Sequence, residues 1–71
     1  MSELDRESRL YDWIRASDLR EWAREFDGQA QEAAEAGFPD VAEEAHAEAR
    51  ECRQLAAEAW RRVIAPEAVA S

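Results

Sequence analysis

Residues 25–49, EFDGQAQEAAEAGFPDVAEEAHAEA, decide the fold. At their centre Gly37, Phe38 and Pro39 interrupt two runs of strong helix formers, chiefly Ala, Glu and Gln. Gly37 stands where a helix ends in a left-handed residue. Pro39 suits the first turn of the next helix, where its missing N–H leaves no hydrogen bond unmade. Asp40, Glu43 and Glu44 then sit near the positive end of that second helix. So short a link folds two helices back on each other, antiparallel.

Working outward from the turn, small apolar residues recur at heptad spacing. Leu19, Ala23, Phe26, Ala30, Ala33 and Gly37 precede it at alternating steps of four and three. Ala42, Ala45, Ala49, Cys52, Ala56, Ala59 and Val63 follow it at alternating steps of three and four. Each series is a seam down one helix face. Because the knobs nearest the turn are alanines, the two backbones approach closely there.

Towards the N-terminus, Ser2 with Asp5 forms a weak capping box, and Ser17-Asp18 with Glu21 offers a second one. That second signal predicts a break. Leu10, Tyr11, Trp13 and Ile14 would then pack on the wide end of the hairpin, beside Leu19, Trp22, Phe26, Leu55, Trp60, Val63 and Ile64. The expected fold is all-α: a long Ala-rich antiparallel hairpin over about 18–36 and 39–64, with a short N-terminal helix over about 3–16 packed on its open end. Residues 1–64 make a single helical domain, and Pro66 leaves 65–71 as a frayed tail. Trp13, Trp22 and Trp60 are expected to be core, with at least one of them open to serve as an interface anchor.

Charge divides the chain more sharply than hydropathy does. Residues 25–49 hold eight acids and no arginine, residues 1–24 hold six acids and five arginines, and residues 50–71 hold three and four. The net charge of −8 on 71 residues therefore belongs to the tip of the hairpin. At about 100° per residue, Glu21, Glu25, Glu32 and Glu35 fall opposite the first seam, and Asp40, Glu44, Glu48, Glu51 and Glu58 fall opposite the second. Like-charged neighbours such as Asp40 with Glu44, or Glu44 with Glu48, each cost about 0.2–0.5 kcal/mol. Glu32 and Glu35 also oppose the helix dipole near the end of their helix, by roughly 0.3–1 kcal/mol each. Elsewhere the chain alternates its charges, as Glu58 before Arg62 illustrates. The tip departs from that habit, and it departs at a cost of roughly 2–3 kcal/mol in a domain with little to spare.

An acidic chain of this kind lacks the basic face that nucleic acid or an anionic membrane requires. Every cation is arginine, and lysine, threonine and asparagine are absent. That usage suits a GC-rich genome; a salt-adapted protein would spread its acids over the whole surface. One cysteine, Cys52, allows no internal disulfide, and no apolar run is long enough for a membrane span. A cytoplasmic protein is expected, in the host bacterial cytoplasm if phage-encoded.

Residues that could carry chemistry are few. Glu43-x-x-His46 has the spacing of a carboxylate-bridged metal pair, but Glu32 and Glu35 point away from it, so the ligands do not converge. Cys52 lies on the seam as a small hydrophobe, and a single histidine supports no hydrolytic triad. No enzyme, metal or cofactor is expected. What remains is the acid: Glu32, Glu35, Asp40, Glu43, Glu44, Glu48 and Glu51 are the expected contact residues for a protein with a basic, nucleic-acid-binding groove. Carboxylates about 5–6 Å apart along a helix approximate the charge of a phosphate backbone. In size, acidity and lack of a catalytic motif the chain resembles the small acidic phage-encoded inhibitors of bacterial defence, anti-CRISPR proteins among them, several of which act as DNA mimics. The resemblance implies an inhibitor, and a CRISPR effector complex as one partner of the right kind. The other function class is a helical oligomerisation or antitoxin-like adaptor module, joined to another helix through the alanine seam and the tryptophans. Either a monomer or a homodimer is compatible with the sequence.

Overall fold

The computed structural model describes residues 3–64, so the tail expected at 65–71 lies outside the described residues. Helix α1 spans Glu3–Glu35 and helix α2 spans Pro39–Ile64. They pack antiparallel in a rod of about 52 × 20 × 12 Å, and no strand occurs among the described residues. The chain is the all-α hairpin that its seams require.

The turn is built by the residues that announce it. Gly37 takes a φ of 90°, a conformation that costs a residue with a Cβ about 1–2 kcal/mol. It ends α1 in a Schellman motif, with the N–H of Phe38 donating to the carbonyl of Ala33 at 2.8 Å and that of Gly37 to Ala34 at 3.2 Å. The carbonyl of Phe38 then accepts the first hydrogen bond of α2, from the N–H of Ala42 at 3.1 Å. Pro39 follows as the first helical residue.

Both seams close as spaced. Leu19, Ala23 and Ala30 on α1 and Ala42, Ala49, Cys52, Ala56, Ala59 and Val63 on α2 are buried, with Phe26 packed against their centre. Alanine dominates this list, and no large side chain is fully buried. The core is a thin strip of small residues, which stabilises a hairpin less than a stack of leucines would.

One expectation is corrected. No break occurs at Ser17-Asp18, and the short N-terminal helix is the first half of α1. Ser and Asp in mid-helix cost at most about 0.7 kcal/mol each, whereas two new helix ends would expose their unpaired N–H and C=O groups. The seam itself also continues. Stepping back from Ala23 by four, three, four and three reaches Leu19, Ala16, Asp12 and Arg9, and Ala16 is buried like the rest.

A second correction follows from that phase. Arg9 and Asp12 face α2, and of the apolar residues around them Trp13 reaches it through the ring of Trp60. Leu10, Tyr11, Trp13 and Ile14 stand open to solvent at 49–62% exposure, and Trp22, Leu55 and Ile64 are exposed as well. At the wide end polar groups join the contact beside the buried Ala16, Ala59 and Val63. Arg9 Nε donates to the carbonyl of Val63 at 3.1 Å, serving one of the last carbonyls of α2. Arg62 Nε donates to Asp12 Oδ1 at 3.3 Å. Of the three tryptophans only Trp60 is half-buried; its ring meets that of Trp13 at 5.0 Å and 54°, and Arg20 lies over it at 5.6 Å.

Candidate functional site

The acids of the tip are displayed as their spacing requires. Glu32 and Glu35 on α1, and Asp40, Glu43, Glu44, Glu48 and Glu51 on α2, are all exposed. Because the two seams face each other, residues opposite them point away from each other. Glu32 and Glu35 consequently line one side of the rod, and Asp40, Glu44, Glu48 and Glu51 line the other. Glu43 stands apart from that second ridge, displaced round α2 towards the side of His46. The seven residues form two ridges and a flanking acid, not one patch. On α2 the ridge places four carboxylates within eleven residue steps, about 16 Å of helix.

Within the ridges there is little to neutralise the charge. Among the described residues none of these seven acids has a cation at ion-pair distance; Glu35 accepts a hydrogen bond from Gln31 Nε2 at 3.3 Å, a neutral donor.

Asp27, another of the eight acids of residues 25–49, is different. Its carboxylate accepts from Arg53 Nη2 and lies 3.3 Å from His46 Nδ1. The Arg53 hydrogen bond is the main reason that its carboxyl is held below the ordinary value, opposed by some desolvation and aided by His46. A signal for this cluster was present: Asp27 follows the seam residue Phe26 and Arg53 follows the seam residue Cys52, which puts both on one edge of the contact.

His46 is thereby turned towards Asp27 and away from any pairing with Glu43. Among the described residues no three His, Cys, Asp or Glu side chains are grouped to hold a metal ion. Cys52 is a free, buried thiol at the centre of the seam. No described helix is long and apolar enough to cross a membrane.

The wide end carries the second surface feature. A shallow groove on α1 is lined by Tyr11, Ile14, Arg15, Asp18, Leu19 and Trp22, with only Leu19 buried. The alanine seam, by contrast, is closed within the hairpin and offers nothing to another chain.

The class of protein defined by this geometry is a small two-helix hairpin with a strongly acidic tip. No protein-family model matches the chain, and no curated protein and no solved structure is significantly similar to it.

Proposed function

We propose that the acidic tip enters a basic, nucleic-acid-binding groove of a partner protein in the bacterial cytoplasm and blocks it, acting as a non-enzymatic inhibitor by DNA mimicry. The observation behind this reading is the pair of exposed ridges with the flanking Glu43, seven carboxylates with no cation at ion-pair distance among the described residues. A groove lined by Arg and Lys is the surface complementary to them, and such surfaces are built to hold phosphate backbones. Four carboxylates over about 16 Å have a charge spacing within a factor of two of a single strand, which carries one charge per ~3.4 Å. On this reading the protein would act as anti-CRISPR and other anti-defence inhibitors do.

A helical adaptor is the second reading. It keeps the exposed aromatic residues of the wide end but loses the alanine seam, on which half of it rested. The two readings assign binding to opposite ends of the rod, so one variant separates them. E44R/E48R reverses the middle of the α2 ridge at exposed positions and leaves the seam intact. Wild-type protein immobilised in a bacterial lysate is expected to retain a nucleic-acid-handling protein that is released by about 0.5 M salt and by added duplex DNA. E44R/E48R is expected to retain none of it while keeping its helical circular dichroism. Equal capture by the variant would refute the mimic.

A further inference from the structure

The groove on α1 has an internal symmetry that the acidic tip does not explain. Tyr11, Arg15, Asp18 and Trp22 follow one another at steps of four, three and four, a second heptad stripe about a quarter-turn round α1 from the buried seam. The order is aromatic, cation, anion, aromatic. It reads the same from either end once the two charges are exchanged, with its midpoint between Ala16 and Ser17. Tyr11, Ile14 and Trp22 are 62%, 51% and 53% exposed. Arg15 and Asp18 are exposed too, and neither forms an ion pair within the hairpin.

We propose that this groove is the seat of a second copy of the same chain, the two α1 helices crossing antiparallel about a two-fold axis near residues 16 and 17. In an isologous contact each residue meets its counterpart across the axis. Tyr11 then lies against Trp22 of the second copy, and Arg15 against Asp18 of the second copy, each pair occurring twice. Ile14 of both copies borders the same flank of the contact. A stripe whose charges are opposite across its own midpoint is complementary to itself and to few other surfaces.

Area and charge agree with this occupant. Tyr11, Ile14 and Trp22 leave on the order of 300–400 Å² of side chain open, taking ~150–250 Å² as what an aromatic side chain presents. A standard interface takes about 800 Å² from each partner, a little over half of it apolar. These three residues supply most of that share. An antiparallel crossing near residue 16 also carries the two acidic tips to opposite poles. The wide ends it joins are nearly balanced, with eight acids and nine arginines in residues 3–24 and 50–64 together. Docking tip to tip would set two unpaired acidic surfaces together, and docking tip to wide end would be heterologous and leave no closed dimer.

This inference stands independently of the tip's function, and its variants leave the tip untouched. Sedimentation equilibrium on the 71-residue chain is expected to show a monomer–dimer equilibrium that high salt does not abolish, and scattering to show a dimer longer than the 52 Å of one hairpin. I14E is expected to be monomeric with unchanged helicity. R15D sets acid against acid twice and should weaken the dimer by about tenfold; R15D/D18R exchanges both charges and should restore it. A wild-type chain that stays monomeric to about 100 µM overturns the proposal and leaves the groove to a different protein. A dimer indifferent to I14E and R15D, or one not restored by R15D/D18R, overturns it equally.

Discussion

Asp27 sits in a stretch of eight acids without an arginine, yet its charge is answered from the other helix, by Arg53 and His46. Among the described residues the other acids of this stretch have no ion pair. This pairing gives Asp27 a pH signature of its own. The folded-state pKa of Asp27 is depressed below 3.8, so its contribution to stability is complete above that value and is lost as pH falls through the folded pKa. D27N isolates this effect: its thermal midpoint is expected to lie below that of wild type at pH 7, and the gap to close as pH falls below about 4. A gap that persists unchanged in acid would show that the Asp27 pair adds nothing electrostatic. Its place after the seam residue Phe26 marks the edge on which it lies, but its Arg53 partner is 26 residues away.

The helices were legible from their seams, and the one failure among them is instructive. Ser17-Asp18-x-x-Glu21 satisfies the local pattern of a helix start, but α1 passes through it because a capping preference of about 1 kcal/mol competes with a seam that buries Ala16, Leu19 and Ala23 in one phase. Polar residues at the next two seam positions, Arg9 and Asp12, concealed that phase. Close approach through alanine is a property of α1 and α2 as a pair, and it sets a prediction. Ala49 is fully buried, so A49L drives a branched side chain between the backbones and should cost about 1–3 kcal/mol in urea unfolding. Ala57, exposed on the same helix, is the control: A57L should stay within about 0.5 kcal/mol of wild type. Equal effects at both positions would mean that the seam is not closely packed.

At the scale of the whole molecule, the rod is polarised: a balanced, aromatic wide end and a tip with unscreened acid. Repulsion within the tip weakens with salt, because the screening length falls from about 10 Å at 0.1 M to about 3 Å at 1 M. The fold should therefore gain on the order of 1 kcal/mol, or about 4–8 °C in thermal midpoint, between low salt and about 0.5 M NaCl. E44R/E48R should flatten that dependence. A wild-type midpoint that falls with salt would show that attractive pairs, not the tip, dominate the electrostatics. Under the proposed function the same salt loosens the captured partner, so stability and binding would move in opposite directions.

The sequence by itself determined the helical hairpin, its turn at Gly37 and Pro39, the two alanine seams and the confinement of the net charge to residues 25–49. Each of these rests on spacing within one helix or on composition, which local physics reads directly. Only the tertiary structure decided that Arg9 and Asp12 join α2 while Tyr11, Ile14 and Trp22 are left outside, and that Asp27 is the neutralised acid. Those pairings span 26 to 54 residues of chain. Their partners meet only after the hairpin has closed in one register, and it is that register which turns one face of α1 inward and leaves the other for a second molecule.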